Sequence, residues 1–339
     1  MIDALAQANA AREANRPDEA IALYRQVLKT SPANAEAWWY LGLLLYEKDK
    51  HTEAAQAFSK VAVQQPKQGA GWAMLGITEY RNGRYDQALA HLRKAHSLGV
   101  PPLNNLDKVA RYHLVALLNR SGEHDLASGL LLMFVRDAAI TPSVKKVAGI
   151  AALGMKVLPE EIKPEQREPI TIAGEASMLA WQKRNPEARA EGTKLLARYP
   201  KLANVHYLMG YLLLLENDGN CVDYFKRELE LDPEHVPARL QIAYELLRRG
   251  EAAAGLPYAE EAIQRAPANF VGRNIYGRIL LDLDRADEAV RELEHAVKLA
   301  PGSAEAHFHL ASAYNRAGRK QDAARHREIF SKLEQARSK

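Results

Sequence analysis

Prolines that close apolar stretches recur along this chain with a fixed period. Pro32 and Pro66 are 34 residues apart, and Pro200, Pro233, Pro267 and Pro301 follow one another at 33, 34 and 34. Pro101 lies 35 after Pro66 and 99 before Pro200, close to one and to three further periods. A repeat this short cannot enclose a core of its own and must bury its apolar face against the next copy. The chain is thereby restricted to an array, and its 339 residues do not have to be divided into separate globular domains.

Within one unit, residues 33–66, Trp38, Leu41, Gly42 and Leu45 recur at helical spacing, as on the buried stripe of an amphipathic helix. After the polar break "KDKH" come Ala54, Phe58 and Val61, a second such stripe. Trp72, Leu75, Gly76, Ala88, Leu92 and Ala95 repeat the pattern, as do Tyr276, Gly277, Leu280, Ala289, Leu293 and Ala296. Each unit therefore reads as helix, tight turn, helix. The small residues let the two helices approach closely, the large ones fill the space between hairpins, and the proline, with no N–H to donate, ends the second helix.

This pattern resembles the tetratricopeptide repeat family, a 34-residue helix-turn-helix, over most of the chain. The resemblance implies an all-α fold, an α-α superhelix or solenoid of about nine hairpins, with a concave face lined mainly by the first helices. Four hairpins are expected in residues 1–137 and five in 171–339. Between them, 138–170 is expected to hold one odd helix after Thr141 and Pro142, then an extended junction, "LPEEIKPEQREP", with three prolines and six charges. Cys221 occupies a small-residue slot and is expected to pack there. Ala4 and Arg327, where other units place large packing residues, are expected to mark capping repeats.

Trp38 and Trp39 are adjacent, and neighbours on a helix point about 100° apart. The expectation is that Trp38 is sealed between hairpins, so that Trp38→Ala costs roughly 3–5 kcal/mol, while Trp39 stays free. The resemblance implies that the slots around Trp39 face the groove and bind a peptide or protein segment. Those slots hold Trp39, Tyr40, Leu43, Tyr112, His113, Tyr207, Tyr211, Tyr244, Asn274, Arg278, Phe308 and His309, with Tyr80 and Asn315 one turn further along. Amphipathic aromatics are favoured in such contacts.

Other functions find less support. The family's two-carboxylate clamp needs Lys, Asn and Arg at fixed slots, and of the residues there only Asn9 fits. No phosphate loop is present, one cysteine rules out an internal disulfide, and the histidine spacings make poor metal pairs, so neither catalysis nor a cofactor is expected. With 46 Lys and Arg against 42 Asp and Glu, the net charge of +4 does not call for nucleic acid. No apolar run is long enough to span a membrane. The reading is a cytoplasmic scaffold (exported, if a signal peptide was removed), monomeric or weakly self-associating through Ile329, Phe330 and Leu333. Two alternatives stay open: the repeat region of a larger enzyme or secretion assembly, and an RNA-binding helical array.

Overall fold

The computed structural model describes residues 4–337, which are all-α. They fall into two units, divided after Lys183. The first holds α1 (Ala4–Glu13), α2 (Pro17–Thr30), α3 (Ala35–Glu47), α4 (His51–Gln64), α5 (Gly69–Arg81), α6 (Tyr85–Leu98), α7 (Leu106–Ser121), α8 (His124–Arg136), α9 (Pro142–Ala152) and α10 (Pro164–Trp181). The second holds α11 (Asn185–Arg198), α12 (Val205–Leu215), α13 (Cys221–Leu231), α14 (Val236–Arg248), α15 (Ala252–Arg265), α16 (Phe270–Asp282), α17 (Ala286–Leu299), α18 (Ala304–Arg316) and α19 (Lys320–Arg337).

Each unit is a stack of helical hairpins, the second opening on a single helix, α11, that packs on α12. A first helix packs on its own second helix, and that second helix packs on the next hairpin's first. Successive first helices also touch, α5 with α7, α7 with α9, α14 with α16 and α16 with α18, so their side chains form one face. The small slots work as the sequence predicts: Gly42 lies under the Phe58 ring, where an added Cβ would come within 2.8 Å of it. Cys221 is buried in the α12–α14 core, and burial raises its thiol pKa, which keeps it in the unreactive protonated form.

The hairpin turns carry a signal of their own. Asn15, Asp49, Gly83, Gly122, Asn217, Gly250, Asp284 and Gly318 all adopt positive φ one or two residues after a first helix. Gly, Asn and Asp enter the left-handed region most readily. Ala138, between α8 and α9, is forced there too, at φ 50°. Its methyl group is exposed and strains the backbone. Ala138→Gly is therefore expected to stabilise the protein by about 1 kcal/mol, read as a raised melting temperature.

The junction differs from its expected form. After α9 only residues 153–163 lack a helix; at Pro164 the chain enters α10, and α9 packs against it. Pro164 stands in the first turn, where its missing N–H is no loss, and the Gln166 side chain accepts from the Lys163 amide at 3.0 Å. Pro169 reads as a breaker, yet it lies within the helix. The helix is held there by close backbone contact with α9: a Cβ on Gly149 would lie 1.9 Å from the Ile170 carbonyl oxygen, and one on Gly174 2.1 Å from that of Lys145.

Candidate protein-interaction faces

Trp38 and Trp39 share the core rather than dividing buried from free. Both are half-buried and packed against the first unit's core. Trp39 meets the buried Phe58 ring edge-on, with centroids 5.6 Å apart. Trp38 is not sealed, because its main task is polar: the indole N–H donates to the Pro32 carbonyl at 2.8 Å. The same bond recurs at the same offset from the closing proline. Trp72 donates to Pro66 at 3.1 Å, His206 Nε2 to Pro200 at 2.9 Å, Arg273 Nε to Pro267 at 3.0 Å and His307 Nε2 to Pro301 at 3.1 Å. Each of these carbonyls lies two residues beyond the end of the preceding helix, outside its hydrogen-bond ladder, and this slot supplies a donor. Trp38→Phe is expected to lose about 1 kcal/mol through the hydrogen bond alone. Trp38→Ala should lose about 3 kcal/mol, the bottom of the earlier range because the ring is only half-buried. Chemical denaturation of the two variants separates the contributions.

The rest of the first-helix face in the first unit is largely engaged by the chain itself. Tyr40 stacks on Tyr24 and lies under the Arg12 guanidinium, 3.7 Å from its ring centroid, and Leu43 is half-buried on the core. Tyr80 and His113, expected to line an open groove, are buried. Their rings meet edge-on at 4.7 Å, and the Tyr80 hydroxyl donates to Glu160 at 2.7 Å. Burial, and then this carboxylate, raise the Tyr80 pKa; burial lowers that of His113, whose Nδ1–H donates to the Val109 carbonyl at 2.8 Å. Tyr112 is half-buried beside them.

The second unit assembles a more open site from α14, α16 and α18. Asn274 is buried and so not itself available. Its amide nitrogen donates to Glu305 Oε1 at 3.2 Å, and its oxygen accepts from His309 Nδ1–H at 2.9 Å. Arg278 lies 3.8 Å from Glu305 and 5.8 Å from the Tyr244 ring centroid. Tyr244 and Phe308 are exposed at 37% and 50%, and Phe308 leans on Phe330, 5.5 Å away. Burial first, and then the Arg278 charge, lower the His309 pKa to about 4, so the ring is neutral at pH 7. The arrangement has no nucleophile paired with a base. It can present an aromatic and a cation on a prearranged frame, which is binding chemistry.

Nearby, Tyr207 and Tyr211 on α12 are half-buried. Tyr207 packs on Phe225 and His235. Its amide, with that of Asn204, donates to the fully buried carboxylate of Glu228 at 3.1 and 2.6 Å. Asn315 is exposed on α18. Sequence reasoning missed Arg12, Glu160, Phe330 and Glu305 as members of these faces. Among the described residues, no group of three or more His, Cys, Asp or Glu could hold a metal ion, and no helix is long and apolar enough to cross a membrane.

Stacked helical hairpins whose first helices share an aromatic and polar face define a helical-repeat protein. The sequence profile of the tetratricopeptide repeat matches residues 5–70 and 276–326, so those two segments carry tetratricopeptide repeats. Among curated proteins it is similar to the Arabidopsis thaliana TPR repeat-containing thioredoxin TTL4, at 36% identity over 118 residues, 34% of this chain and 17% of that protein. It is also similar to the probable biofilm formation methyltransferase WspC of Pseudomonas putida, at 28% over 114 residues, 32% of this chain and 27% of that one. The chain thus spans well under a third of either relative. Among solved structures, MamA from Desulfovibrio magneticus RS-1 is 21% identical, with a TM-score of 0.46 over 50% of this chain and 96% of that one. YrrB, described as a TPR protein with an unusual peptide-binding site, is 19% identical, with a TM-score of 0.43 over 48% and 85%.

Proposed function

We propose that this chain is a non-enzymatic scaffold whose second unit docks a segment of another protein on the face formed by α14, α16 and α18. The observation that carries the reading is the display of Tyr244, Arg278 and Phe308 by residues that are themselves hydrogen-bonded and mostly buried. A face held in place before binding loses less side-chain freedom on contact. Tyrosine and arginine are also enriched among the residues that dominate binding energy. RNA reading is disfavoured, because Arg278 already faces the Glu305 carboxylate and an RNA site needs unopposed positive charge.

Tyr244 is the best probe, since it is exposed and its loss should leave folding intact. Trp39 is a poor one, because its contact with Phe58 ties it to the core. In affinity capture from the native cell, Tyr244→Ala is expected to weaken recovery of a specific partner by about thirtyfold, equivalent to about 2 kcal/mol. Its melting temperature should not change. Equal recovery of the same partner by wild type and variant would remove this face from consideration.

A second reading is a repeat region serving a catalytic domain. It is favoured by the names of the relatives, a thioredoxin and a methyltransferase, of which this chain matches only 17% and 27%. The full open reading frame separates the two.

A further inference from the structure

The segment between α9 and α10 does not belong to the repeat, and it reaches into the first unit's first-helix face. Leu158 is fully buried in that unit's core. Two positions on, the Glu160 carboxylate accepts from the Tyr80 hydroxyl at 2.7 Å. The strap holds its own shape through the Glu161 side chain, which accepts from the Leu158 amide at 2.8 Å, and a turn bond from the Glu161 amide to the Leu158 carbonyl at 3.0 Å. The charges around Glu160 suit an acid. Arg81, the last residue of α5, lies close enough for the Glu160 charge to add to the effect of Tyr46 in raising its pKa, and Tyr112 of α7 is raised by the same carboxylate after burial. Two successive first helices, α5 and α7, thus surround one carboxylate beside an apolar seat.

From this geometry we infer that residues 155–163 are a built-in ligand, and that the α5–α7 face is a peptide site for a partner segment bearing an apolar residue followed two positions later by a carboxylate. The strap and the partner compete for the same seat. The tether gives the strap a high effective concentration, so the site is closed until a partner displaces it. This site lies in a different unit from the proposed docking face, and the failure of either leaves the other standing.

The test uses the full chain and a fluorescent peptide with the sequence of residues 155–163. The double substitution Leu158→Ser with Glu160→Gln should free the seat. That variant is expected to bind the peptide at least tenfold more tightly than wild type, and adding Tyr80→Phe should weaken it severalfold. A peptide carrying Gln in place of the second of those residues should also bind severalfold more weakly. Absence of saturable binding to a double variant that still melts cooperatively would overturn the inference. So would equal binding to wild type, or a strap-exchanged dimer in place of peptide capture.

If the double variant does not fold, trypsin cleavage after the exposed Lys156 reads the same competition in wild type and in Glu160→Gln. Excess peptide should accelerate cleavage of wild type, and Glu160→Gln should be cut several times faster even without peptide. Unchanged rates in both would show that the strap is only a structural connector.

Discussion

Gly149→Ala is expected to be the most damaging single methyl group that can be added to the junction. The new Cβ would need the space of the Ile170 carbonyl oxygen, 1.9 Å away, and neither atom belongs to a flexible side chain that could swing aside. Relief requires α9 and α10 to part along their contact, loosening the buried Val147, Ile150, Ile170 and Ala173. Overpacking of a side chain typically costs 1–3 kcal/mol. A backbone clash should lie at or above the upper end, about 3 kcal/mol or more, read as a fall in the denaturation midpoint. Gly174→Ala should behave alike, since its Cβ would come 2.1 Å from the Lys145 carbonyl. Gly129, with open space where its Cβ would go, is the control: alanine there should be neutral or slightly stabilising, because alanine is the better helix former. Equal tolerance at all three positions would contradict the close crossing.

Mild acid should destabilise the second unit. His309 has a pKa of about 4 in the folded chain against 6.5 when unfolded. Between those values the unfolded state binds the extra proton, so stability falls as pH drops from 6.5 toward 4 and is fully present above 6.5. The difference corresponds to about 3 kcal/mol at the acid end. The cause is physical: only 14% of the side chain is exposed, its Nδ1–H is committed to Asn274, and a second proton would face the Arg278 charge. His309→Gln keeps a donor for Asn274 without the titration. Its melting temperature should therefore depend less on pH than that of wild type. Parallel profiles for the two proteins would remove His309 as the cause. Burial also lowers His113 and His124 in the first unit and His235 and His326 in the second, so part of the acid sensitivity should survive the substitution.

Helix identity and pairing were legible wherever the period ran unbroken, because spacing encodes which side of each helix is apolar. Pro164 and Pro169 misled for a reason equally physical. Proline forbids a donor but not a first turn, and only the α9 contact shows that a turn begins there. The faces were legible as lists of positions and not as states. Tyr80 and His113 could not be known to be buried, because the strap over that face has no repeat register from which its position could be read. Asn274 and Glu305 are 31 residues apart, nearly one period, so a column-by-column reading could have paired them. The tyrosine and arginine slots were visible, whereas the frame holding them was visible only as a relation between successive copies.

The donor to the closing proline's carbonyl has a wider consequence. Indole, imidazole and guanidinium differ in size, shape and charge, yet Trp38, Trp72, His206, Arg273 and His307 all donate a hydrogen bond to the carbonyl of the proline six positions before them. What persists from copy to copy is therefore not a kind of residue but a direction in which hydrogen must point. Each copy is free to change its bulk and polarity at that position while keeping the joint it makes with the copy before it.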